Sequence, residues 1–140
     1  MPVTKTRDAQ VLKESMALGL FCFAENYLSE ALEKQGSLRG LCPEVDCKKV
    51  VWHFIGPVQS NKTKLISEHF DWVQSVDRLK VARRLSEQRP ASLAPLNICI
   101  QVNIDNEASK SGIEVGQVEA FSEQVASLPN LQLRGLMTIP

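Results

Sequence analysis

The chain has 140 residues, and its 16 basic and 16 acidic side chains give a formal net charge of zero. This length suits one domain with a hydrophobic core but is short for two. The zero net charge gives no electrostatic case for binding nucleic acid or an anionic membrane surface. No apolar run approaches the ~20 residues that span a bilayer, and the N-terminus lacks the apolar core of a signal peptide. The sequence therefore predicts a cytoplasmic globular domain.

The cysteines and histidines do not form a recognisable set of metal ligands. Cys42 and Cys47 lie five positions apart in a predicted loop, but His53 and His69 are not a closely spaced second pair. We therefore expect no metal site.

Short apolar segments alternate with helical segments in the first part of the chain. Residues 1–4 are predicted to be extended, and a helix follows from Asp8, as its N-cap, to Gly19 just past its end. The segment LFCFAEN predicts a buried strand, and YLSEALEKQG predicts a helix that ends at Gly36.

The same alternation continues to the end of the chain. VVWHFIG predicts a third strand, QSNKTKLISEHF a helix and DWVQSVD a fourth strand. Asp77 is predicted to cap the helix RLKVARRLSEQ, which Pro90 ends. LNICIQVNI predicts the fifth strand, residues 115–128 a helix, and LQLRGLMTIP the sixth strand.

Six strands separated by helices predict an α/β fold whose parallel strands are covered by helices. Two architectures fit this pattern, an open doubly wound sheet and a (β/α)8 barrel. No strand is followed by the G-x-G-x-x-G turn of a dinucleotide fold, and no Walker sequence occurs.

Polar side chains collect where the predicted strands end. In chain order they are Lys5, Glu25, Asn26, Tyr27, Gln59, Ser60, Asn61, Ser75, Asp77, Asn103 and Thr138. The exits of parallel strands lie on one face, where barrels and open sheets build their sites. The ordinary polarity of loops accounts for most of this set, but less well for a lysine directly after a first strand.

Lys5 is a candidate for Schiff-base chemistry. A lysine amine is a poor nucleophile at neutral pH while it is protonated, and apolar walls or a nearby cation would disfavour the charged form. Arg7, two residues away, is a candidate for that cation. From spacing alone, a salt-bridged or solvated lysine is the commoner alternative.

Five segments in the order VTKT, FAENYLSE, WHFIGPVQSNK, VNIDNEASKSG and LRGLMTIP resemble the pyridoxal phosphate homeostasis protein family. They run over residues 3–140, essentially the whole chain. That family is similar in fold to the barrel domain of alanine racemase, so the resemblance implies a (β/α)8 TIM-type barrel that binds pyridoxal 5′-phosphate (PLP). It also implies a carrier or buffer in vitamin B6 balance, with PLP-accepting apo-enzymes as partners, rather than an enzyme.

The resemblance assigns four positions to the cofactor. Lys5 matches the lysine that holds PLP as a Schiff base, and Asn26 matches an asparagine that faces the cofactor pocket. Lys110, in SKSG, matches a second lysine that helps to deliver or exchange PLP. His53 is a candidate for a contact with the cofactor ring, with a core histidine as an equal alternative. Arg7 departs from the family segment, which has a lysine there.

Compared with this family, the chain is expected to be an incomplete barrel, clipped at both ends. Such a barrel has eight strands and about 250 residues, whereas this sequence predicts six strands in one partial domain over residues 1–140. The resemblance places the phosphate-binding exits beyond the sixth strand, so weak PLP binding is expected. Members of full length are expected to be monomers, whereas the unpaired sheet edges of a partial barrel favour association.

Two further functions stay open at this point. A Schiff-base enzyme related to racemases would need an acid–base partner, for which Tyr27 and Asp77 are candidates by location only. A truncated product with no independent activity is the other.

Overall fold

The computed structural model describes all residues from Met1 to Pro140. The chain divides into two compact units, Met1–Gly56 and Pro57–Pro140, and the single domain over residues 1–140 stays a prediction. None of the helices is both long and apolar enough to cross a bilayer.

The first unit contains a parallel pair of strands and three helices. Its elements in chain order are α1 (Ala9–Ala17), β1 (Cys22–Glu25), α2 (Leu28–Leu41), α3 (Glu44–Cys47) and β2 (Val51–Phe54). In the parallel pair, Ala24 of β1 lies opposite His53 of β2. The core of this unit includes Phe23, which is fully buried, and Trp52, whose ring centroid is 5.8 Å from that of Phe23.

Helix α1 begins and ends as its sequence predicts. The carboxylate of Asp8 accepts a hydrogen bond from Val11 N at 3.1 Å, which satisfies one of the free amides of the first turn. Leu12 and Met16, four residues apart, face the core. Gly19 has φ +85°, the left-handed conformation that glycine adopts most easily just past a helix.

Helix α2 extends beyond the predicted end. It continues through Gly36 to Leu41, so the prediction that Gly36 closes the helix is wrong. A glycine in a helix interior costs only about 1 kcal/mol relative to alanine. The helix buries Leu38, which is 2% exposed, one turn after Lys34, and burying a leucine contributes about 1.5–3 kcal/mol.

The first predicted strand is reduced to a single bridge. Val3 pairs in parallel with Ala24, and hydrogen bonds join Thr4 N to Ala24 O at 2.9 Å and Ala24 N to Pro2 O at 3.0 Å. The segment before Lys5 therefore lies beside β1, but it pairs over fewer residues than the predicted strand.

The second unit is built around one long central strand. Its elements in chain order are α4 (Thr63–His69), β3 (Trp72–Val76), α5 (Leu79–Gln88), β4 (Leu96–Asn103), β5 (Ile113–Glu114), α6 (Val118–Ala126) and β6 (Leu131–Met137). Strand β4 pairs in parallel with β3, β5 and β6. Leu96, Ile98 and Ile100 of β4 are fully buried, as expected for a parallel strand with both sides covered.

The sequence predicted that Asp77 caps helix α5, and this prediction is wrong. The N-cap residue is Arg78, with no side-chain cap, and Asp77 Oδ2 instead accepts a hydrogen bond from Gly112 N at 3.0 Å. The carboxylate thus holds the segment that leads into β5, a short strand that the sequence did not predict. The helix predicted over residues 115–128 begins as the 3-10 turn Val115–Gln117 before α6.

Candidate functional site

The structure brings Lys5 and Asn26 to the same end of neighbouring segments. Val3 lies opposite Ala24 in a parallel bridge. Lys5 follows Val3 by two residues, and Asn26 follows Ala24 by two. Because paired parallel segments advance in the same direction, both side chains belong to the exits of this part of the first unit.

Lys5 is exposed, and its amine makes no hydrogen bond or ion pair with the rest of the chain. The apolar walls expected around it are absent from the first unit. Exposure alternates along this segment, with Val3 at 49% and Thr4 at 5%. The backbone before the lysine is therefore held in the structure, while the amine itself is available to a ligand.

Asn26 carries an unused acceptor beside a close backbone contact. Its Oδ1 atom is buried and has no hydrogen-bond partner, a rare state for a buried polar atom. A Cβ added to Gly56, just past β2, would lie 2.0 Å from Asn26 O. Only glycine lets the β2 exit pack this closely on the β1 exit.

His53 lies deeper in the first unit than these two residues. It is 9% exposed and lies in β2, opposite Ala24 of β1. Measured along the strands, it is therefore two residues, or about 6–7 Å, before the position of Asn26. Burial, and secondarily the positive charge of the N-terminal amine, lower the pKa of His53 to about 4. The imidazole is therefore neutral at pH 7, and its contact with a cofactor stays a prediction.

The sequence pattern did not identify a buried charged cluster directly behind Lys5. Glu25 is fully buried and Lys34 is 5% exposed. Lys34 Nζ lies 2.6 Å from Glu25 Oε1 and donates to Thr4 O at 2.7 Å. Thr4 Oγ1 also donates to Glu25 Oε1. A carboxylate in the apolar run LFCFAEN was the available signal, because glutamate is almost never fully buried unless paired.

Lys110 belongs to the second unit, in the loop between β4 and β5. Its Nζ lies 3.3 Å from Asp105 Oδ2 and 3.4 Å from Glu107 Oε1, and its side chain is 29% exposed. Asn103 Nδ2 donates to Glu107 O at 2.9 Å, while Asn103 Oδ1 is buried without a partner. The loop thus compensates the charge of Lys110 with two carboxylates.

The second unit has two hollows of different character. A polar cleft of about 130 Å³ is lined by Pro57, Val58, Ser75, Asp77, Arg78, Gln101 and Ser111. Pockets that enclose a whole small ligand are ~300–1,000 Å³, so this cleft can take only part of one. A larger hollow of about 730 Å³ is mainly apolar, lined by Val102, Ile104, Val115, Gly116, Val118, Glu119, Leu136, Met137 and Thr138.

Parallel strands, intervening helices and polar groups at the strand exits define a parallel α/β protein. The family model "Alanine racemase, N-terminal domain" matches residues 1–140. The chain therefore belongs to the alanine racemase N-terminal domain family, which decides between the two predicted architectures in favour of the barrel class.

Curated relatives carry one name. The chain is 57% identical over 140 residues to the pyridoxal phosphate homeostasis protein of Pseudomonas aeruginosa. It is 46% identical over the same length to the protein of that name from Escherichia coli K12. All of this chain is covered in both comparisons, and it spans 58% of the length of each relative.

Solved structures show the same fold. PipY of Synechococcus elongatus, determined with PLP bound, superposes with a TM-score of 0.85 at 33% identity, over 100% of this chain and 62% of that one. An alanine racemase of Clostridium difficile gives a TM-score of 0.69 at 15% identity, over 98% of this chain and 34% of that one. The alanine racemase-like fold predicted from the sequence is confirmed.

Proposed function

We propose that this chain is the PLP-binding part of a cytoplasmic PLP homeostasis protein, with the cofactor held as a Schiff base on Lys5. The observation that carries the proposal is an unpartnered amine at Lys5 on the same exits as the unpartnered, buried Oδ1 of Asn26. The name shared by the relatives and the PLP in the PipY structure support the same cofactor.

The residues of the first unit fit such a cofactor. No ion pair or hydrogen bond within the chain competes for the Lys5 amine. In its neutral form the amine adds to an aldehyde carbon, a C=N bond forms and one water molecule leaves. Asn26 Oδ1 would accept a hydrogen bond from a donor on the ligand, which would satisfy the buried atom. PLP, when bound, supplies the aldehyde and an electron-withdrawing ring.

Lys110 is proposed as a second lysine that helps to deliver or exchange the cofactor. An incoming phosphate would compete with Asp105 and Glu107 for the ammonium group. Binding through Lys110 would therefore be weak and reversible, which suits exchange better than storage. His53 is proposed only as a neutral contact to the ring, consistent with its burial.

Holding and releasing PLP for apo-enzymes is proposed rather than turnover. Of the two residues considered as acid–base partners, Tyr27 is 56% exposed. The Asp77 carboxylate accepts a hydrogen bond from Gly112 N and lies 3.8 Å from Arg78 Nε. A general acid or base must be held within hydrogen-bond reach of the substrate and be free to exchange a proton with it. The exposed Tyr27 side chain has no hydrogen bond that would hold it, and the Asp77 carboxylate already has a partner.

Covalent trapping tests the assignment of Lys5. The purified chain is mixed with PLP, reduced with borohydride and mapped by peptide mass spectrometry. We expect the label on Lys5, its loss in Lys5→Ala and its retention in Lys13→Ala, because Lys13 is also an exposed lysine without an ion pair.

Three outcomes would contradict this proposal. Equal labelling of Lys5→Ala and the parent chain would remove Lys5 from the cofactor site. Absence of any stable adduct in the parent chain would favour a product that does not bind PLP by itself. Turnover of added amino acids by the PLP-loaded chain would favour the alternative that the protein is a Schiff-base enzyme.

A further inference from the structure

The position of the Lys5 amine is set by the backbone on either side of it, since its own side chain has no partner. The residue before the lysine, Thr4, is held through both its backbone and its side chain. Thr4 N donates to Ala24 O at 2.9 Å, and Thr4 O accepts from Arg7 N at 3.0 Å and from Lys34 Nζ at 2.7 Å. Its hydroxyl donates to Glu25 Oε1.

Lys34 is the centre of these contacts. An ammonium group has three N–H donors, and this one has acceptors at Glu25 Oε1 (2.6 Å), Thr4 O (2.7 Å) and Glu30 Oε1 (3.2 Å). The side chain is only 3% exposed. Because a buried charge is costly unless it is fully paired, the ammonium fixes its three acceptors relative to one another.

Glu30 connects the cluster to the residue that follows Lys5. Its Oε1 atom accepts a hydrogen bond from Thr6 N. Thr6 has φ +63°, a conformation that a β-branched residue rarely adopts. Such residues persist where the surrounding structure over-determines them, and they cluster at functional sites. One ammonium and its two carboxylates therefore hold the residue before Lys5 and the residue after it.

We propose that Lys34, through Glu25 and Glu30, positions Lys5 for the incoming aldehyde. This inference rests on the proposed function and deepens it, because Lys34 fixes the backbone from which the reactive amine projects and makes no contact with the cofactor itself. The competing explanation is a role in stability alone. Since a buried ion pair can often be exchanged for uncharged residues of similar volume without loss of stability, the two explanations can be separated.

The experiment compares variants of the full chain. Glu25→Gln/Lys34→Met removes both buried charges and keeps an acceptor for the Thr4 hydroxyl. Glu30→Gln weakens the links of residue 30 to Thr6 and to Lys34 and leaves the Lys34–Glu25 pair in place, at a side chain that is 31% exposed. Lys48→Met, in an exposed pair with Glu44 at 2.9 Å, is the matched control. Three quantities are measured: the melting temperature, amide hydrogen exchange at Thr6 and Arg7 without cofactor, and the pH-dependent rate of Schiff-base formation with PLP.

We expect faster exchange at Thr6 and Arg7 in the double variant and a rate at Lys5 lowered by about tenfold or more, since small misplacements of a reacting group are costly. Glu30→Gln should show the same changes to a smaller extent, and Lys48→Met should match the parent. These changes at a melting temperature close to that of the parent would support positioning.

Misplacement of a reacting group should change the rate by far more than twofold. A rate of Schiff-base formation within about twofold of the parent, with unchanged hydrogen exchange, would therefore overturn the inference. PLP binding at Lys5 would remain intact. If the double variant does not fold, the hydrogen exchange and the rate of Schiff-base formation of Glu30→Gln decide between the two explanations. PLP labelling of the parent chain away from Lys5 would overturn the proposed function itself, and the inference with it.

Discussion

Lys5 and Lys34 show how the surroundings assign different tasks to one kind of side chain. Lys34 is buried and its ammonium has three acceptors, so its charge is used entirely within the protein. Lys5 lies on the same segment as one of those acceptors, Thr4, yet it is exposed and has none. Lys34 holds the backbone, whereas the amine of Lys5 has no partner within the chain.

Only part of this arrangement could be predicted from the sequence. Lys5 and Asn26 each follow an apolar segment, which is a local pattern, but the resemblance to the family is what assigns them to the cofactor. Glu25 was grouped with the polar residues at the strand exits, and the sequence did not indicate that it is fully buried. Its burial depends on Thr4, 21 residues earlier, and Lys34, nine residues later. Such pairings arise from tertiary packing and leave no local period.

Gly56→Ala tests the close approach of the two strand exits. The added Cβ would lie 2.0 Å from Asn26 O, so the backbone must shift, and overpacking of this kind costs about 1–3 kcal/mol. We expect the free energy of unfolding, measured in urea, to fall by that amount. Gly116→Ala, outside the α-helices, is the control, because a Cβ there meets nothing within 4 Å. Equal stability of the two variants would show that the exits do not need a glycine.

At the scale of single elements, neither helix beginnings nor helix ends were predicted uniformly, since Asp8 caps α1 whereas Asp77 does not cap α5. Asp8 caps α1 as expected, because an aspartate before an apolar periodic segment is a specific signal. Gly19 and Gly36 had the same signal for an end, but only Gly19 adopts a positive φ. Helix α2 continues because the turn after Gly36 buries Leu38, and burial outweighs propensity.

Alanine substitution at these two glycines should change stability in opposite directions. Gly36→Ala is expected to stabilise the chain by up to about 1 kcal/mol, since alanine is the better helix former. Its Cβ would have only Arg39 Nη2 nearby, at 3.7 Å. Gly19→Ala should destabilise by about 1–2 kcal/mol, because φ +85° is strained for any residue with a Cβ. Thermal or urea unfolding measures both, and a stabilising Gly19→Ala would contradict the C-terminal cap.

The strands were predicted best where burial is continuous. Strand β4 matches LNICIQVNI closely because its side chains are mostly buried, as its apolar run indicates. Strand β5 has two residues, too few for any periodicity to detect. The first segment keeps only the bridge between Val3 and Ala24, since its contacts depend on the neighbouring strand and not on its own apolar pattern.

At the scale of the whole molecule, the alternation of strands and helices over all 140 residues was sufficient for the fold class. It could not choose between a doubly wound sheet and a barrel, because both repeat the same local unit. Family segments made that choice, and the TM-score of 0.85 with PipY confirms it. The pH dependence of stability also belongs to this scale, because protonation of one buried histidine changes the free energy of unfolding of the chain.

His53 is expected to make the chain less stable as the pH falls from about 6.5 to 4. Its pKa is lowered from 6.5 to about 4 in the folded chain, so between these values the unfolded chain binds the proton and the folded chain does not. The contribution of His53 to stability is therefore fully present above pH 6.5, and it is lost as the pH falls from 6.5 to 4. At about 1.4 kcal/mol per pKa unit, the loss by pH 4 is on the order of 3 kcal/mol.

Urea unfolding at several pH values between 4 and 7 measures this dependence. His53→Gln should remove the part of the loss that arises from the imidazole, because glutamine takes up no proton in this range. His69→Gln, which removes the other histidine of the chain and keeps His53, should retain it. The carboxylates contribute their own pH dependence to all three proteins, so the difference between each variant and the parent is the quantity to compare. A His53→Gln curve parallel to that of the parent would mean that protonation of His53 does not oppose folding.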